Sequence, residues 1–237
     1  ATAYMYAPSE IAARIALETR GTDTVDGLTM FDGIPTFTST QSIYVQLKED
    51  AHYLLDKNLA KWPRAQGYEM NVPGYHETKL ATPWGGTGNP IWLMGEPSVR
   101  SCKWVAGVLS REIMTGVVAM QRDYEENVRP LPPAQQEKIL LERAGAVQQS
   151  MPPRENPVLH RTIDSAMARG STAASHVTLF GTCAYKQTGV IQATAARRLV
   201  ESGPLVTGFA SPCSAFGYRE LLAELESYGL TRVQRFY

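Results

Sequence analysis

Between Ser175 and Glu201 the hydrophobic period of this chain changes from two to nearly four. Val177 and Leu179 alternate with Thr178 and Phe180 over Ser175 to Thr182, the pattern of a strand. Ile191, Ala195 and Leu199 then recur four apart over Gly189 to Glu201, the pattern of a helix with one apolar side. A strand leading into an amphipathic helix points to sheet and helix sharing one core. An α+β class follows, with α/β left open.

The remaining segments fill in that class. Pro8 to Thr19 reads as a helix with Ile11 and Ile15 on one face, stopped by Gly21. Thr22 to Phe31 reads as extended, before a turn at Asp32-Gly33. Ser39 to Ala60 reads as one long helix, with Ile43, Leu47, Ala51 and Leu59 on its apolar side, ended by Trp62-Pro63. Gln66 to Met94 is rich in Gly, Pro and aromatics and reads as short strands and long loops, one strand at Ile91 to Met94. After a short extended piece from Val99, the apolar stretch Trp104 to Met120 reads as a buried helix. Arg111 and Glu112 interrupt it, and it is shorter than the roughly 20 apolar residues a membrane span needs. Ala134 to Gln149 reads as a helix opened by Pro132-Pro133, Ser150 to Pro157 as a loop, and Tyr218 to Tyr228 as a last helix closed by Gly229.

Charge and motifs exclude several functions. Lys and Arg number 23 and Asp and Glu 23, so the formal net charge of the 237 residues is zero and the basic footprint of a nucleic-acid binder is missing. The three cysteines, Cys102, Cys183 and Cys213, are far apart and odd in number, which argues against a disulfide framework or a zinc site. No histidine pair has metal-ligand spacing, so no metal is expected. Free thiols and an opening Ala1-Thr2-Ala3 without a signal-peptide pattern suit a cytoplasmic protein. The dinucleotide fingerprint G-x-G-x-x-G, the P-loop, the G-x-S-x-G elbow and H-E-x-x-H are all missing. Gly85 to Gly88 reads as a flexible loop. His52 and His176 read as packed or surface residues, and His160-Arg161, after the Pro-rich loop, as a pair that binds an acidic group or is simply solvated. His76, in the aromatic loop Pro73 to Lys79 beside Glu77, is placed to move protons near neutral pH. Tyr185-Lys186, after the Ser175 strand, is placed to donate a proton or hold a carbonyl or carboxylate.

One further pattern is an order of segments. Gly181-Thr182-Cys183-Ala184-Tyr185-Lys186-Gln187-Thr188-Gly189 leads into an Ala-rich helix and Gly203-Pro204-Leu205. Gly208 to Gly217 follows, with Ser211-Pro212 in it, and then a helix ending at Gly229-Leu230. This resembles the C-terminal end of the saccharopine-dehydrogenase-like oxidoreductases, the group that includes the trans-acting enoyl reductases. In that group Thr-Pro stands where this chain has Ser211-Pro212. The Ser/Thr-rich run Thr36 to Ser42 is similar to the element that opens the family's substrate-domain helix. The resemblance implies a mixed, mostly antiparallel sheet with helices on one face. It implies a substrate-type domain over 1–205, and a turn and helix over 206–237 that pack back on a Rossmann domain outside this chain. It also implies NAD(P), held by that separate domain, a small-molecule substrate and a homodimer. On this reading Tyr185, Lys186 and His76 are the catalytic candidates, and Thr38, Ser39, Gln41 and Tyr75 contact the substrate. The Tyr, Trp and Met content of Tyr68 to Met94 suits an apolar or amphipathic molecule. A non-enzymatic binding module and a structural subunit for a separate nucleotide-binding chain are the alternatives.

Overall fold

The computed structural model describes residues 2–83, 88–149 and 154–236. In chain order the elements are α1 (Ala7–Leu17), β1 (Thr24–Phe31), α2 (Phe37–Gln46), β2 (His52–Leu55), β3 (Asn58–Lys61), β4 (Tyr68–Met70) and β5 (Lys79–Ala81). There follow α3 (Gly88–Leu93), β6 (Ser101–Val108), α4 (Arg111–Asp123), a π-helical turn (Tyr124–Val128) and α5 (Pro133–Ala146). The last are β7 (Arg161–Arg169), β8 (Ala174–Thr182), α6 (Ala184–Glu201), α7 (Pro212–Phe216), α8 (Tyr218–Ser227) and β9 (Thr231–Phe236). Seven strands make one sheet in the order β3-β2-β6-β1-β7-β8-β9, and β4 and β5 make a separate two-stranded hairpin. Only β1 and β6 run parallel; the other neighbours are antiparallel. This is the α+β class and the mixed, mostly antiparallel sheet that the sequence implies.

Strand alternation divides the side chains between two faces. Val25, Cys102, Trp104, Ala166, Val177 and Leu179 face α1, α6 and α8, which bring Ile11, Ile15, Ile191, Leu221 and Leu225 into the same buried cluster. Leu28, Met30, Val105 and Ile163 face the other way, beneath Val72, Ala81, Tyr68 and Tyr75 from the β4–β5 region. A satellite cluster of Leu47, Tyr124, Val128 and Leu140 joins α2, the π turn and α5. Part of the segment after 206 packs into the main core. Leu221, Leu222 and Leu225 are buried in it, and β9 extends the sheet beside β8. The buried Glu10 carboxylate accepts from Ser211 Oγ at 2.5 Å, the Cys213 amide at 3.2 Å and Arg14 Nε at 2.8 Å, tying α7 to α1. Ser211-Pro212 caps and opens α7, a five-residue helix of its own.

Three segments fold differently from the sequence reading, each for a local reason. Ser39 to Ala60 is not one helix: α2 ends at Gln46, and residues 52–61 are the β2–β3 hairpin. Its two-residue turn places Asp56 at φ 48° and Lys57 at φ 68°. Both positive values are the signature of a hairpin turn that usually carries Asn-Gly or Asp-Gly, and Lys57 hides it. Trp104 to Met120 is a strand followed by a helix. Its first five residues finish β6, an inner strand apolar on both faces and so lacking alternation. Ser110 starts α4 by accepting the Ile113 amide at 3.3 Å. Ser110→Ala is therefore expected to cost about 1 kcal/mol of stability, measured by urea unfolding. Ile91 to Leu93 is helical, inside α3 with Pro90 in its first turn, rather than a strand. The Gly-rich run Gly85 to Thr87 lies outside the described residues, and Gly88 begins α3.

Candidate functional site

The buried side chain of Gln187 fixes the start of α6 against the sheet. Its Nε2 donates to Thr162 Oγ1 at 2.8 Å and to the Thr182 carbonyl at 3.0 Å, and its Oε1 accepts from Thr231 Oγ1 at 3.3 Å. Strands β7, β8 and β9 thus hold the helix two residues beyond Tyr185. The junction between β8 and α6 is Cys183, buried and left-handed at φ 57° and ψ 71°. That conformation is uncommon for a residue with a Cβ and turns the chain sharply from strand into helix.

Tyr185 projects from this first turn, 38% exposed. Its hydroxyl oxygen accepts the Thr36 amide at 2.8 Å and lies 3.2 Å from Ser39 Oγ. Thr36 caps α2 through its own hydroxyl, which accepts the Ser39 amide at 3.3 Å and lies 3.0 Å from Ser39 Oγ. Because the phenol oxygen accepts from a backbone amide, its proton is directed elsewhere, to Ser39 or to an acceptor atom of a ligand. Beside it lies a cleft of about 350 Å³ at the C-terminal end of β1, lined by Phe31, Asp32, Ile34, Glu155 and His160 among others. His160 Nδ1 accepts the Asn156 amide at 2.8 Å, which leaves Nε2 as the other ring nitrogen able to meet a ligand.

Glu155 settles what this helix start can hold. Its carboxylate accepts the Tyr185 amide at 2.9 Å and the Lys186 amide at 2.8 Å. A dinucleotide pyrophosphate needs free amides and close-approaching glycines at such a junction. Here the amides face a carboxylate and the turn residue is Cys183. The start of α6 therefore does not fit the pyrophosphate of a nicotinamide dinucleotide.

The structure gathers some of the sequence candidates and separates the rest. Tyr185 and Ser39 meet. Thr38 is exposed one residue away on α2, and Lys186 is exposed on α6. Gln41 Nε2 donates to the Ala144 carbonyl at 3.1 Å and stitches α2 to α5. Tyr75 lies in the loop before β5 and lines a different cleft, with Lys79 Nζ 5.0 Å from its ring centre; burial raises its pKa. His76 is exposed beside it. Two residues at the Tyr185 cleft escape the sequence reading. Thr36 carries a findable signal, a hydroxyl residue three positions before another at a helix start. Glu155 carries none, because its partners lie 30 and 31 positions away.

Comparison with known families follows from the same chain of elements. The profile of the family of unknown function DUF5938 matches residues 7–234, from the first residue of α1 into β9. The chain belongs to that family. The match takes in six strands of the seven-stranded sheet whole and most of β9, together with the Tyr185 cleft. No curated protein matches the chain significantly. Among the described residues, no helix is long and apolar enough to cross a membrane.

Proposed function

We propose that this chain is the substrate side of an oxidoreductase, with Tyr185 as hydrogen-bond and proton donor to a carbonyl-bearing, apolar or amphipathic small molecule. The observation that carries the reading is the Thr36 amide on the Tyr185 oxygen, which leaves the phenol proton to Ser39 or to a ligand in the cleft. Phe31 and Ile34 supply apolar walls, and the strand resemblance around Gly181 to Gly189 supports the reaction class. A nicotinamide, NAD or NADP, supplies hydride in this reading and is held by a nucleotide-binding domain outside these residues. Cytoplasmic location and a homo-oligomer belong to the same proposal. A second reading, a binding module without chemistry, is favoured by one observation: the Glu155 carboxylate occupies the α6 amides.

The full natural polypeptide distinguishes the two. NADH and NADPH binding is measured first, then turnover of a panel of apolar ketones and enones by wild type and Tyr185→Phe. The oxidoreductase reading expects nicotinamide binding and a loss in kcat of about 100-fold or more in Tyr185→Phe. Turnover unchanged in that variant removes Tyr185 from the chemistry. Ligand binding without nicotinamide binding selects the binding module.

A further inference from the structure

Across the segment 157–161 from the Tyr185 cleft lies a larger one, about 620 Å³, on the sheet face opposite α1. Its size is within the range of small-molecule sites. Strand register sets its floor. Ile163 on β7, Phe180 on β8 and Arg232 on β9 stand side by side, and Arg161 stands opposite Thr182 two pairs further along. Alternation puts all of these on one face. Tyr75 closes the cleft from the loop before β5, and the exposed Val158 adds apolar surface.

Among the described residues, Arg161 and Arg232 are the only charged ones that line it. The other two described clefts contain carboxylates: Asp32 and Glu155 in one, Glu49, Asp50 and Glu125 in the other. Neither Arg161 nor Arg232 forms an ion pair among the described residues, whereas Arg64 in the third cleft bonds both Asp50 and Glu125. Arg232 lies over the Phe180 ring, its Cζ 5.9 Å from the centre. The two arginines sit on strands flanking β8, roughly 12 Å apart, about 10 Å across the sheet and about 7 Å along it. That is a span two long side chains can close from either side around one anionic head group.

We infer that this cleft is a second ligand site, for a small amphipathic carboxylate: Arg161 and Arg232 take the carboxylate, and Phe180, Tyr75 and Val158 take its apolar body. The site is independent of the Tyr185 chemistry and stands whether or not that proposal holds. The test is calorimetric titration with decanoate, with decan-1-ol as the uncharged control, on wild type, Arg161→Met, Arg232→Met and Tyr185→Phe. Methionine keeps most of the apolar stem while removing the charge. The expected result is one decanoate per chain, at least tenfold tighter than decanol. Each arginine variant is expected to weaken decanoate at least tenfold, the size of one charge-assisted hydrogen bond, and Tyr185→Phe to bind as wild type does. No decanoate binding, equal binding of decanol, or unchanged affinity in either arginine variant overturns the assignment. A parallel loss in Tyr185→Phe overturns its independence and merges the two clefts into one site.

Discussion

Trp104→Ala is expected to destabilise the chain by about 3–5 kcal/mol, the range for removing a buried large aromatic side chain. For a chain of 237 residues that is a fall in Tm of roughly 10 °C, read by calorimetry or thermal circular dichroism. Trp104 is 1% exposed, on β6 near the centre of the sheet, within the cluster that joins α1, α6 and α8. Its indole Nε1 donates to Thr29 Oγ1 at 3.0 Å. The cost therefore has two parts, an unfilled space beneath α1 and a buried hydroxyl that loses its donor. Trp104→Phe separates them: it refills most of the space and is expected to cost only about 1–2 kcal/mol. The space for this ring is made by its neighbour on β1. Gly27 lies opposite Trp104 in the parallel register, and a Cβ there would run into the indole and stand 2.6 Å from the Ser165 carbonyl. Gly27→Ala should accordingly destabilise by overpacking, about 1–3 kcal/mol. In a Trp104→Leu background its added cost should shrink, a coupling that a double-mutant cycle reads directly. Additive costs would show that the glycine serves the backbone approach to Ser165 alone.

The parts of this fold legible in the sequence are those where one face is buried and the period is unbroken. α1, β8 and α6 each show such a period and form within a few residues of the segments it marks, and β1 is marked by its Thr and Val content. The parts that were not legible fail for physical reasons. β7 pairs with both β1 and β8 at the centre of the sheet, yet its middle is Asp164-Ser165-Ala166-Met167-Ala168, low in β-branched and aromatic residues. Small side chains are what its position requires, since α1 packs closely over Ala166 and Ala168. Local propensity is overridden there by tertiary packing. β6 reads as a helix because a strand buried on both faces has no polar alternation. The candidate site divides in the same way. Tyr185 is marked by its place after a strand, and Ser39 by its Ser/Thr-rich helix start. The amide of Thr36 that meets the phenol oxygen, and the carboxylate of Glu155 that occupies the α6 amides, are long-range contacts with no local signature. Tyr75 and His76 share the aromatic loop with no sign in the sequence that it covers a different face of the sheet from Tyr185.

β7 also carries the group that should make stability depend on pH. Asp164 is 1% exposed, and burial without a cationic partner raises its pKa to about 8; Thr29 and Tyr4 hydrogen bonds pull the other way without cancelling it. Thr29 Oγ1 donates to Asp164 Oδ1 at 2.8 Å, and Thr29 in turn accepts from Trp104, so the carboxyl ends a chain of buried polar groups. In the unfolded chain the same group titrates near 3.8. Between these values the folded state binds one more proton than the unfolded state, so stability must fall as pH rises. The contribution is fully present below about pH 4 and lost as pH passes through about 8. Its upper limit is on the order of 5 kcal/mol, at about 1.4 kcal/mol per pH unit. Asp164→Asn keeps the shape and an oxygen for Thr29 while removing the titration. Urea unfolding at pH 5, 6.5 and 8 should therefore show wild type losing stability relative to Asp164→Asn across the series, with the two closest at pH 5 and the variant the more stable at pH 8. Parallel profiles for the two proteins would show that the Asp164 carboxyl titrates alike in the folded and unfolded chain, and that its burial beneath α1 is relieved by water reaching it.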